Sequence, residues 1–177
     1  GMKIETIIGA SLGVLVLGFF LVMGAFNAPT AQTSVFHSDA YGISFAHPDI
    51  YRVTEGDEEG IEHHVIILIQ EDDLTVGAGE GPRAIVFDIY GNPSNQQTLN
   101  GWIESMPQSN LGLGNGVVNS TVVDGRGAAM YRGSGLYNGE TTAFLHGETI
   151  VLVSVTYDAP TDAIYTDYQE LLRTITL

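Results

Sequence analysis

The chain contains no cysteine and only one lysine, Lys3. The lack of cysteine excludes a disulfide framework, a thiolate metal site, a cysteine nucleophile and a lipid anchor on cysteine. From Ala28 onward, 5 arginines face 20 aspartates and glutamates. A surface this acidic repels phosphate backbones, so the composition argues against nucleic-acid binding.

Residues 7–26, IIGASLGVLVLGFFLVMGAF, form one long run without any charge. Twenty helical residues span about 30 Å, the thickness of a bilayer's hydrocarbon core. The run is longer than the apolar part of a signal peptide, and no good cleavage site follows it. We interpret it as a single transmembrane helix in contact with the lipid bilayer. Because Lys3 precedes the run and the next lysine or arginine is Arg52, residues 1–6 are expected in the cytoplasm and the domain outside.

Two features of this segment suggest self-association. Gly9 and Gly13 form a G-x-x-x-G pair, which lets two helices approach closely in lipid, although glycine is common in membrane helices in general. Glu5 near the start of an apolar helix is typical of a type IV pilin, and residues 4–26 would then form the core of a filament. Against that alternative, Asn27 and Pro29 interrupt the helix at once, where a pilin helix continues.

Residues 27–34 are small and polar and predict a short linker, followed by a domain over 35–177. Apolar alternation and continuous apolar runs predict eight strands, with tight turns at Asp124-Gly125 and Asn138-Gly139. The predicted strands are 42–47, 51–55, 63–70, 83–91, 117–125, 127–135, 141–147 and 149–157.

Helical periodicity appears twice in the domain. Residues 94–106 predict a helix capped by Ser94 or Thr98, and the C-terminal stretch predicts another that starts at Thr161 or Asp162. Strands outnumber helices and hairpins dominate. The sequence therefore predicts an α+β fold, an antiparallel β-sheet with packed helices, behind one N-terminal transmembrane helix.

Two stretches resemble the PsbP-like family. YGISFAHPDIYRV resembles the family's opening signature, and TIVLVSVTYDAP with YQELLRTITL resembles its close. The position after Pro48 that often carries tryptophan in the family is filled by Tyr51. The resemblance covers most of 35–177 and implies a PsbP-like sandwich. It also implies a non-catalytic accessory or partner-binding role, often in exported, membrane-associated proteins.

Two acidic clusters, 55–62 and 70–81, offer oxygen ligands of the kind that calcium prefers, although neither matches a regular calcium loop. The calcium candidates are Asp57, Glu59, Asp72 and Asp73. The alternative is a solvated acidic surface. His63 and His64 are adjacent, so on a strand they point to opposite faces and do not share one metal ion.

No serine shows a patterned relation to a histidine and an acid, and the glycine-rich loop 110–116 matches no nucleotide motif. We therefore expect no catalytic residues and no cofactor apart from the calcium hypothesis. The sequence favours a membrane-anchored, extracytoplasmic binding or accessory domain at the cell envelope, with an envelope protein or a small ligand as partner. A pilin-like filament subunit and an unrecognised hydrolase remain as alternatives.

Overall fold

A computed structural model describes residues 32–58, 62–72 and 81–177, which belong to one compact unit, Ala31–Leu177. In this part of the chain, no helix is both long and apolar enough to cross a bilayer. The 7–26 segment with Gly9 and Gly13, and also Glu5, Glu59 and Asp73, lie outside the described residues. The predictions made for them stay predictions.

Among the described residues, seven antiparallel strands form the main sheet, in the order β3-β4-β5-β9-β8-β7-β6. β4 and β9 have the bounds that the sequence predicts, because each is a continuous apolar run covered on both faces. The strands are β3 (Tyr51–Asp57), β4 (His63–Gln70), β5 (Ala84–Gly91), β6 (Gly114–Val123), β7 (Arg126–Ser134), β8 (Asn138–His146) and β9 (Thr149–Tyr157).

A separate hairpin precedes this sheet. β1 (Thr33–Ser38) pairs with β2 (Ile43–Pro48), and backbone hydrogen bonds of 3.0 and 2.9 Å between Ser44 and Thr176 tie β2 to the C-terminal end. The sequence predicts β2 but not β1, whose residues are mostly polar and exposed. The strand begins inside the predicted 27–34 linker.

One face of the main sheet carries the larger core. We call it the α2 face, because the helix α2 (Ala163–Thr174) and the β1–β2 hairpin cover it. Phe87 of β5 is fully buried there and stacks on Phe45 of β2, with ring centroids 4.6 Å apart. The buried side chains of α2 close this core: Ile164, Tyr168 and Leu171, as the helical periodicity predicts, together with Tyr165.

The opposite face, the α1 face, is packed by the short helix α1 (Leu99–Ser105) through Trp102 and Ile103. The Thr98 hydroxyl accepts a hydrogen bond from the Gly101 N–H at 3.1 Å, so Thr98 caps this helix. The predicted start at residue 94 is wrong. Pro93–Asn95 forms a 3-10 turn instead, with Ser94 at a left-handed φ of 58°.

Local geometry requires glycine at two positions, one in the turn after β6 and one within β6. Asp124 and Gly125, at φ 47° and 71°, form the tight β6–β7 turn that the sequence predicts. At Gly114, a Cβ would lie 1.9 Å from the carbonyl oxygen of Arg132, so only glycine permits β6 to approach β7 here. The described residues confirm an antiparallel sheet with few helices.

Candidate functional site

Two adjacent buried histidines mark one end of the main sheet. His63 and His64 begin β4 and are only 8% and 5% exposed. Their side chains point to opposite faces of the sheet, as the strand periodicity predicts. Each histidine side chain contacts two carboxylates.

On the α1 face, His63 lies between Glu58 and Asp88. Its Nδ1 is 2.6 Å from Glu58 Oε2 and its Nε2 is 2.8 Å from Asp88 Oδ1. The ring stacks nearly parallel on Tyr90, with centroids 4.3 Å apart. Burial, together with the charges of Asp88 and Glu58, raises the pKa of Tyr90 to about 12, so its hydroxyl stays neutral.

On the α2 face, His64 lies between Asp57 and Glu55. Its Nδ1 is 2.6 Å from Asp57 Oδ1 and its Nε2 is 2.8 Å from Glu55 Oε1. The Ser38 hydroxyl donates to the same Glu55 oxygen at 2.5 Å, and the Tyr41 ring packs 4.6 Å from the imidazole. Ser38 of β1 and Tyr41 of the β1–β2 turn therefore complete the surroundings of His64.

All four nitrogen–oxygen contacts are direct hydrogen bonds. Two ligands of a tetrahedral zinc ion at about 2.0 Å lie about 3.3 Å apart, which is longer than any of these contacts. Each ring therefore bridges two carboxyl groups through its two nitrogens. We call these six residues the histidine–carboxylate cluster: Glu55, Asp57, Glu58, His63, His64 and Asp88.

Burial raises the pKa of Asp88, and the opposing contribution comes from its hydrogen bond and attraction to His63. The Asp88 side chain is 27% exposed, whereas that of Glu58 is 59% exposed. Asp88 therefore depends on His63 more strongly than Glu58 does, because water solvates Glu58.

A groove of about 510 Å³ opens beside the cluster, and we call it the anionic groove. Asp57, Glu62 and Glu148 supply carboxylates to its wall, and none of its described lining residues is lysine or arginine. The other lining residues are Tyr41, His63, Ile89, Gly91, Pro93 and Thr149.

Two hydrogen bonds fix the walls of this groove. His146 Nε2 donates to the Tyr41 carbonyl at 2.7 Å, and the Ser94 N–H donates to Glu148 Oε1 at 3.0 Å. The groove therefore combines residues that are more than 100 positions apart in the chain.

The calcium candidates do not meet in one place. Asp57 pairs with His64 at the start of β4, whereas Asp72 follows the far end of that strand, about 25 Å away at 3.3 Å per residue. Glu59 and Asp73 lie outside the described residues. In the described ranges, no three histidine or acidic side chains are arranged to hold a metal ion. Glu55, Asp57 and Glu58 of the acidic run 55–62 hydrogen-bond to the two histidines instead.

The sequence singles out the two histidines and the acidic run 55–62 separately, and it does not predict that they form one site with Tyr41, Asp88 and Glu148. Asp88 contacts His63 because β4 and β5 pair in the register His63–Tyr90 and Val65–Asp88. An apolar strand with a single acid, as in AIVFDIYG, is the one local signal that could have pointed to Asp88.

No protein-family model and no curated protein matches the chain. Among solved structures, it is similar to the solution structure of cyanobacterial PsbP (CyanoP) from Synechocystis sp. PCC 6803, with a TM-score of 0.59. The similarity covers 85% of this chain and 95% of that one at 8% identity. At this identity the likeness shows the fold alone, and it supports the PsbP-like architecture.

Proposed function

We propose that this chain is a membrane-anchored, extracytoplasmic binding or accessory domain that holds a cationic segment of an envelope protein, or a small cationic ligand, in its anionic groove. The observation that carries the proposal is the groove itself, walled by Asp57, Glu62 and Glu148, with His63 as the one basic side chain among its described lining residues. Positive charge on the partner complements such a wall and speeds the encounter.

The histidine–carboxylate cluster supports a binding role over a catalytic one. Both nitrogens of both histidines are engaged by carboxylates at 2.6–2.8 Å, so neither ring is free to take a proton from a substrate. The cluster instead holds the β3–β4 end of the sheet in place beside the groove. A domain without catalysis agrees with the role that the PsbP-like resemblance implies.

The anchor is supported by the sequence of residues 7–26, which is uncharged and long enough to span a bilayer. Lys3 before it, and the absence of any further lysine or arginine before Arg52, favour a domain outside the cytoplasm. A filament subunit is the second candidate, favoured by Glu5 at the head of the apolar run.

Neutralising two groove carboxylates is expected to weaken binding of a basic peptide. Hexa-arginine is titrated by calorimetry into the full chain in detergent. Glu62→Gln with Glu148→Gln should lower its affinity about thirtyfold, because each lost charge removes about 1 kcal/mol for a pair of charges 4 Å apart in water. The matched control, Glu71→Gln with Glu104→Gln, changes the net charge equally at exposed sites away from the groove.

The control variant should bind within about twofold of the unmodified chain, and all affinities should fall with added salt because the charges are screened. An equal loss in both double variants would assign binding to the general acidity of the surface. No binding of the peptide to the unmodified chain would refute the groove as a cation site.

A further inference from the structure

The two edges of the main sheet differ in their charge. Among the described residues, β3 and β6 are the edge strands. β3 carries Arg52, Glu55 and Asp57, and charged residues of this kind discourage pairing with another chain. β6, GNGVVNSTVV, has ten residues with no charge and no proline, in a chain of net charge −15.

The outer backbone of β6 is available for pairing. The two-residue turn at Asp124-Gly125 makes Val123 and Arg126 a hydrogen-bonded pair, and such pairs alternate along an antiparallel ladder. Thr121 and Asn119 therefore bond to β7. The N–H and C=O groups of Val118, Ser120 and Val122 point away from the sheet, where the described residues place no further strand.

The residue pattern of β6 is self-complementary. Residues 117–123 read VVNSTVV, which is the same in both directions about Ser120 except that asparagine faces threonine. Two copies paired antiparallel about Ser120 would place Val118 opposite Val122 and Asn119 opposite Thr121. Each of the three outward residues then meets an outward residue of the other copy, which completes the hydrogen bonds of both edges.

The side chains fit the same arrangement. Val122 is 65% exposed and Val117 is 51% exposed, although both are apolar residues on an edge strand. In the antiparallel pair, Val122 would contact Val118 of the second copy. No charged residue lies within the paired segment, so two acidic chains can approach here without placing carboxylates opposite each other.

We propose that β6 is a self-recognition edge through which two copies of this chain join their sheets across a two-fold axis at Ser120. The interface is isologous and therefore closes at the dimer. This arrangement differs from helix contacts through Gly9 and Gly13, because it depends on the domain and not on the apolar segment.

The test is sedimentation equilibrium of the full chain in density-matched detergent. The unmodified chain should be dimeric. Ser120→Lys, which places two like charges directly opposite each other, should weaken the dimer about tenfold or more. Thr54→Lys adds the same charge at an exposed position of β3 and should leave the dimer intact. Added salt should strengthen the dimer, because it screens the repulsion between two acidic chains.

A second variant tests the register of the pair. The Cα atoms of a hydrogen-bonded antiparallel pair lie about 5.5 Å apart, within the range of a disulfide. Since the chain has no cysteine, Ser120→Cys should give a covalent homodimer on mild oxidation and Thr54→Cys should not.

A monomeric unmodified chain, a dimer that survives Ser120→Lys, or equal cross-linking of both cysteine variants would each overturn the proposal. Cross-linking of Ser120→Cys only to a different protein would overturn self-pairing and assign the edge to that partner instead.

Discussion

Replacing His63 with leucine is expected to lower the free energy of unfolding by about 1–3 kcal/mol, the usual cost of leaving a buried polar group without its partner. His63 is the side chain that donates to Asp88, and Asp88 is only 27% exposed. Denaturant unfolding followed by the fluorescence of Trp102, the single tryptophan, measures the change.

The control for this variant is His37→Leu. The His37 side chain is 55% exposed, and its replacement should change the unfolding free energy by less than about 0.5 kcal/mol. Adding Asp88→Asn to the His63→Leu variant should recover at least half of the loss, because the amide removes the unpaired charge. A double variant as unstable as His63→Leu alone would contradict this assignment.

The same pair has a pH signature. The folded-state pKa of Asp88 is raised, so its contribution to stability is fully present below the ordinary value of 3.8 and is lost as the pH rises through the raised value. The stability of the unmodified chain relative to Asp88→Asn should therefore fall across that window. His63→Leu should move the window to higher pH, because it removes the two contributions that lower the pKa.

Replacing Phe87 with alanine is expected to cost about 3–5 kcal/mol, the usual range for a buried phenylalanine. Phe87 is 0% exposed and stacks on Phe45 from the β1–β2 hairpin, so its removal leaves a cavity between the sheet and that hairpin. Since small domains are stable by about 5–15 kcal/mol, this one change removes a large share of the total.

Leu136→Ala is the control for the Phe87 variant. Leu136 is 68% exposed, so the same denaturant measurement should show a change below about 0.5 kcal/mol. A loss at Phe87 as small as that at Leu136 would mean that the hairpin does not pack on the sheet as described.

The elements that the sequence predicts well are those whose burial leaves a local pattern. β4 and β9 are continuous apolar runs, so their bounds follow from the chain itself. The helix α2 shows helical periodicity, so most of its buried residues follow in the same way. β1 leaves no such pattern, because it is mostly exposed and its pairing with β2 is what defines it.

The candidate site is harder to predict, because its contacts depend on register. His63 and His64 are visible as a pair, and their opposite orientation follows from strand geometry. The carboxylate partners of these histidines do not follow from the local sequence. Asp88 reaches His63 from 25 residues away through β4–β5 pairing, and Tyr41 and Glu148 join the groove from elements distant in sequence. Local spacing carries no information about such contacts.

The measurement that tests the central proposal most directly is protease shaving of intact cells that make the protein, with mass spectrometry of the released and protected peptides. A membrane-anchored binding domain predicts that the material stays with the membranes, that peptides from 35–177 are released and that 1–26 is protected. Recovery of the intact chain in high-mass polymer after mechanical shearing would contradict the anchor and support the filament subunit. A soluble product without residues 1–26 would show that the apolar run is a cleaved signal.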